Sequence, residues 1–220
     1  MIQTVLATGA EMRVTGTGPD AILCVNGGGA ADMPGTWSAS LEWLVRRLAP
    51  AFPTLRFAEV RYRVKSWRRL HLCIEDADAA IDTVAAERML LVGYSMGGAV
   101  AISVAGKRGV VGVVGLAPWI PERLDLSPLR SRRLAVLHGS LDRPLPGIPG
   151  VSPGSSRRGL ERARTADAEG SYELVRGGLH GIALRARGGR LLPLPRAGRW
   201  ASLVARELER FQGGAPPVVE

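Results

Sequence analysis

The chain has 220 residues, enough for one domain with a sizeable core, and 46% of them are hydrophobic, as in an ordinary folded soluble protein. The net charge of +9 suggests nucleic acid, but only Lys65 and Lys107 of the 29 basic residues are lysines and the arginines are spread along the chain, which reads as the codon usage of a GC-rich bacterial genome and makes a nucleic-acid partner unexpected. No apolar run approaches the roughly 18 residues of a membrane span, the N-terminus lacks the pattern of a secretory signal, and Cys24 and Cys73 read as buried thiols, so the expectation is a cytoplasmic protein without membrane contact.

In chain order, IQTVLA and EMRVTG suit an antiparallel hairpin at a sheet edge. AILCV (21–25) reads as a buried strand ending in a glycine-rich loop. Residues 37–52 carry Leu41, Leu44, Val45 and Leu48 at helical spacing. Residues 54–64 alternate and read as a strand. Residues 71–87 read as a helix with acids early in it, where they favour the N-terminus. MLLV (89–92) is a strand and 96–107 a helix, followed by strands at 110–117 and 134–138. Residues 156–170 read as a helix closed by glycine, 171–175 as a strand, and 199–211 as an amphipathic helix. The tail, 212–220, reads as frayed. Strands separated by helices predict an α/β fold, a mostly parallel sheet with helices on both faces, as one domain over 1–211.

In such a sheet, chemistry sits at the carboxyl ends of the strands. There the sequence places Asn26-Gly27-Gly28-Gly29, then Gly93-Tyr94-Ser95-Met96-Gly97, then Gly139-Ser140-Leu141-Asp142, then Gly177-Gly178-Leu179-His180. A hydroxyl, a carboxylate and an imidazole reach one edge. Serine needs a neutral imidazole to take its proton, and the imidazole needs a carboxylate to fix its tautomer. The oxyanion that forms needs preorganised N–H donors. The backbone of Met96 opens a helix and suits that role, and Gly28 is the preferred second donor, with Gly27 and Gly29 close behind. The glycine loop lacks the following Lys-Ser/Thr of a phosphate loop, and Gly27 to Asp32 do not complete a dinucleotide fingerprint.

Together GYSMGG after a strand, NGGG after an earlier one, HGSLDRPLP and GGLHG resemble the α/β-hydrolase family over roughly residues 20–211. The resemblance implies Ser95 as nucleophile, Asp142 as the acid and His180 as the base. Asn26 stands where that family usually has a histidine before its oxyanion glycines. Glu122 and Asp125 are rival positions for the acid, and Asp20 lies at the wrong end of its strand. His71 reads as surface and His138 as support for the acid loop. Ser140 lacks an elbow, and Cys24 reads as core. About sixteen residues between 117 and 134 leave room for only a minimal lid. Trp119 and Tyr94 are candidate substrate contacts. Arg143, Arg176 and Arg185 fall near the same edge, with solvated surface as the preferred reading. The function implied is hydrolysis of a small carboxylic ester or thioester without metal or cofactor. Acyl transfer, perhydrolysis, and amide or carbon–carbon hydrolysis use the same groups, and a non-catalytic binding protein is the remaining alternative. Oligomeric state has no signal in the sequence.

Overall fold

Residues 1–143 and 150–213 are described by a computed structural model. The strands are β1 (Ile2–Val5), β2 (Glu11–Thr15), β3 (Asp20–Val25), β4 (Met33–Pro34), β5 (Leu55–Arg61), β6 (Val64–Lys65), β7 (Met89–Tyr94), β8 (Val110–Leu116), β9 (Arg133–Gly139), β10 (Glu169–Val175), β11 (Ala183–Arg185) and β12 (Leu191–Pro193). The helices are α1 (Ala39–Leu48), α2 (Leu70–Val84), α3 (Met96–Ser103), α4 (Pro153–Thr165) and α5 (Ala197–Gly213). Eight strands form one sheet in the order β1-β2-β5-β3-β7-β8-β9-β10. β1 and β2 form the expected antiparallel hairpin, and β2 pairs antiparallel with β5. From β5 to β10 all neighbours are parallel.

The apolar strands are apolar throughout because both of their faces are buried. In β3, Ala21, Leu23 and Val25 enter one core, built with α2, α3 and α4. Ile22 and Cys24 enter the other, with α1 and α5. Leu91 and Leu90 divide in the same way one strand over. Among the described residues the segment between β8 and β9 holds only a 3-10 turn at Ser127–Leu129, so there is no helical cap. No described helix is long and apolar enough to cross a membrane.

Several boundaries differ from the sequence expectation, each for a local reason. The strand expected over 54–64 stops at Arg61. Asp76, fully buried in α2, accepts from the backbone N–H of Arg63 at 2.9 Å and from its Nε at 2.7 Å, which turns the chain. Val64 and Lys65 then pair antiparallel with Met33 and Pro34, a ribbon that periodicity does not reveal in two-residue strands. The helix expected to 87 ends at Val84, where Ala85 turns left-handed with φ 44° and its N–H caps Ile81 O. The helix expected over 156–170 runs from Pro153 to Thr165. Ser152 caps its start by accepting from Ser155 N at 3.2 Å. Gly170 does not close that helix. It belongs to β10 opposite Leu134, and a Cβ there would meet Leu160 of α4 at 2.8 Å. The helix expected over 37–52 is α1 followed by a 3-10 turn at Ala49–Ala51. The last helix continues to Gly213, two residues into the expected tail, and 214–220 lie outside the described residues.

Candidate active site

Strand β7 ends at Tyr94, and α3 begins at Met96 with Ser95 between them. Ser95 has φ 54° and ψ −119°, a positive-φ conformation that a non-glycine residue holds at a cost of about 1–3 kcal/mol. Three backbone hydrogen bonds fix it. Ser95 N donates to Leu116 O at 2.9 Å, and Ser95 O accepts from Trp119 N at 2.8 Å and Gly98 N at 2.9 Å. The flanking glycines are steric requirements. A Cβ on Gly93 would lie 2.3 Å from Gly97 O, and one on Gly97 would lie 2.2 Å from Val25 O. The turn is therefore tight enough to lift the serine side chain away from strand and helix alike.

After β3 the chain turns through Asn26, whose side chain organises the glycine loop. Its Oδ1 accepts from Gly27 N at 2.7 Å and its Nδ2 donates to Thr36 O at 2.9 Å, while Tyr62 donates to its carbonyl at 3.1 Å. The N–H of Gly27 is thus occupied, and Gly29 O accepts from Trp67 N at 3.0 Å. Gly28 lies on the buried side chain of Met96, where a Cβ would meet Sδ at 2.6 Å. The two segments expected to donate to an oxyanion are thus in contact, and the N–H of Met96 opens α3, where the first helical donors lack intrahelical partners.

After β9, Asp142 is 1% exposed. Its Oδ2 accepts from His180 Nδ1 at 2.7 Å and from His138 Nε2 at 2.9 Å, and its Oδ1 accepts from Val151 N at 3.1 Å. Burial pushes the Asp142 carboxyl up, but the hydrogen bonds from His138 and His180 outweigh it and hold it below the usual carboxylate range. His138 is fully buried at the end of β9. Its Nε2 meets two acceptors, Asp142 and Val151 O at 2.8 Å, which assigns the hydrogen to Nε2. Its Nδ1 then accepts from Ser156 Oγ at 2.7 Å. With the Nδ1–H of His180 on Asp142, His180 Nε2 is left with its lone pair to accept a hydrogen bond.

Ser95, Tyr94 and His180 line a cavity of about 1010 Å³ together with Gly28 and Trp67. No hydrogen bond joins Ser95 to His180 among the described residues; such bonds are often long before substrate binds. The Tyr94 ring lies 5.3 Å from that of His180, centroid to centroid, and burial, then the Asp142 charge, pushes its phenol well above the ordinary range. Trp119 does not line the cavity. It packs against the core and against Trp67, ring centroids 6.2 Å apart, and Trp67 forms the wall in its place. The rival acids sit elsewhere: Glu122 is exposed, and Asp125 caps the turn at Ser127 at 2.9 Å. His71, Arg143 and Arg176 are exposed, and Arg185 lines the cavity while bonded to Glu42 at 2.8 Å. Pro144, part of the acid-loop motif, lies outside the described residues.

Sequence reasoning missed the groups that hold the site. Ser40, at the start of α1, accepts from Ile182 N at 3.0 Å and Ala183 N at 3.3 Å, just past His180. Ser156 and Val151 hold His138 and Asp142. These are isolated serines and a backbone group in ordinary contexts, so no spacing announces them.

No protein-family model and no curated protein matches the sequence. Solved structures do match in shape. A carboxylesterase from Lactobacillus plantarum WCFS1 superposes with TM-score 0.70 at 15% identity, covering 97% of this chain and 97% of that one. An α/β-hydrolase from a Medee basin deep-sea metagenome gives 0.68 at 19% identity, covering 97% and 99%. An esterase from Exiguobacterium antarcticum gives 0.68 at 13% identity, covering 94% and 98%. The chain has the α/β-hydrolase fold.

Proposed function

We propose that the chain is a serine hydrolase of carboxylic esters or thioesters, working through an acyl-enzyme on Ser95. The observation that carries this reading is the common cavity: strained Ser95 and Asp142-bonded His180 both line it. The esterase names of several structural neighbours point the same way.

In the proposed reaction, Ser95 Oγ attacks the acyl carbon while His180 Nε2 takes its proton. Asp142 keeps the hydrogen of His180 on Nδ1 and stabilises the imidazolium that forms. The N–H groups of Gly28 and Met96 hold the oxyanion of the tetrahedral intermediate, a role each fills without moving because both are backbone donors. His180 then protonates the leaving alcohol or thiol. Water, activated by the same base, attacks the acyl-enzyme and releases the acid and free Ser95. Every step uses side chains and backbone of this chain.

Replacing Ser95 by alanine is expected to lower kcat for p-nitrophenyl butyrate by about 10⁶-fold. A fluorophosphonate probe should label the native protein and leave the variant unlabelled. Turnover that survives the substitution within about tenfold overturns the mechanism.

A further inference from the structure

The residues lining the cavity include two charged side chains, Lys65 and Arg185, and both are cations. No aspartate or glutamate is among the described residues that line it. The two cations are neutralised to different degrees. Arg185 shares Glu42 with Arg13 and Arg46, and Arg13 also bonds Glu59, so two carboxylates hold three guanidinium groups. Lys65 makes no salt bridge among the described residues. Its Nζ donates to a neutral partner, Thr36 Oγ1, at 2.8 Å.

Lys65 is also placed by the fold. It ends the β4–β6 ribbon, and its backbone carbonyl carbon lies 3.3 Å from where a Cβ on Gly28 would stand. Thr36, which holds its ammonium, also accepts from Asn26, the residue that shapes the glycine loop. The charge is therefore tied to the segment that carries the proposed oxyanion donor. Trp67, two residues on, supplies an apolar wall in the same cavity. An ammonium with only a neutral hydroxyl partner, in a recess without carboxylates, attracts an anion. One free ammonium and one shared guanidinium suit a monoanion better than a dianion.

Resting on the hydrolase reading, we propose that the substrate carries a carboxylate besides its scissile ester, and that Lys65 binds it with Arg185 as the second cation. The neutral part of such a molecule lies along Trp67.

Two pairs of esters test this. The first is the p-nitrophenyl monoester of adipic acid and its methyl-capped diester, with charge on the acyl side. The second is 4-butyryloxybenzoate and its methyl ester, with charge on the leaving group. In at least one pair the charged member should have a kcat/KM at least about tenfold above its neutral partner. Lys65→Met should lower that ratio about tenfold, mainly through KM, while Lys65→Arg keeps most of it. Preference for the neutral member in both pairs overturns the proposal. So does a Lys65→Met variant that slows both members of the preferred pair equally. Ester cleavage without charge preference overturns the proposal and leaves the hydrolase reading standing. Absence of cleavage of all four esters, or cleavage that survives Ser95→Ala, overturns both.

Discussion

One oxygen of Asp142 serves two imidazoles in opposite surroundings. His180 comes from the loop after β10, its side chain is 15% exposed, and it lines the cavity. His138 comes from the end of β9, has no exposure, and spends both ring nitrogens on protein partners. The hydrogen bonds to Asp142 are nearly equal, 2.7 and 2.9 Å, so proximity to the acid does not separate a base from a brace. What separates them is the second nitrogen. His180 keeps Nε2 without a protein partner among the described residues, for the proton of the proposed reaction, whereas His138 has none to offer. In the proposed reaction, burial thus divides two chemically identical groups between turnover and stability.

The sharpest way to break this contrast is to remove each ring in turn. His180→Ala should lower kcat by about 10⁵–10⁶-fold. Its half-open position predicts only a small change in melting temperature. A variant that retained more than one hundredth of native turnover would, by ordinary triad behaviour, remove His180 from the reaction. Asp142→Asn touches both rings at once. Its amide can favour the wrong tautomer of His180, and kcat should fall by about 10⁴-fold. Calorimetry should show a stability loss as well, because the buried partners of His138 are then mispaired.

His138→Ala should reverse the balance of effects. Val151 O, Ser156 and one side of Asp142 lose a buried partner, so unfolding free energy should drop by about 2–4 kcal/mol. Turnover should fall only about 10–100-fold, with KM little changed, because His180 keeps its own bond to Asp142. The acid limb gives an independent readout. The Asp142 carboxyl is held below its ordinary value, so its contribution to stability is complete above the ordinary aspartate value and is lost as pH falls through the lowered one. Without His138 that lowering shrinks, so the acid-induced loss of melting temperature should be smaller and should be complete at a higher pH. An acid limb identical to the native one would show that His138 does not act through Asp142.

The contrast also explains what the sequence disclosed. The α/β fold was legible because β3, β7, β8 and β9 are short apolar runs bounded by glycines or helices, and their two faces enter two separate cores. Ser95 was legible because the turn needs Gly93 and Gly97, whose absent side chains leave room for backbone oxygens at 2.3 and 2.2 Å. That His180 and Asp142 come to the same edge was legible from their places after strands. The assignment of His138 as support followed from position, but the reach of its bonds to Val151 and Ser156 depends on where α4 docks. The β4–β6 and β11–β12 ribbons stayed hidden because two or three residues hold too little periodicity to read. For the same reason Lys65 carried no signal until the ribbon placed it in the cavity. Trp67 rather than Trp119 lines the cavity because aromatic character is visible in a sequence, whereas the face it presents is set by packing.

The smallest effect probes how a half-open residue is held in place at all. His138 is fixed by its own bonds, but His180 depends on the loop that carries it. That loop is pinned two residues later, where Ser40 Oγ accepts from Ile182 N and Ala183 N. Ser40 is 3% exposed, so water cannot replace the bonds if the hydroxyl is lost. Ser40→Ala leaves two buried N–H groups without an acceptor and should cost about 1–3 kcal/mol of stability. The acid and both histidines remain, so the chemistry survives. Turnover should fall only about threefold to tenfold, through a looser placement of Nε2 against Ser95. Faster amide hydrogen exchange at Ile182 and Ala183, measured beside kcat, would tie the two effects together. Unchanged exchange at both amides would show that α1 does not hold the loop, and that the His180–Asp142 bond alone keeps the base in position.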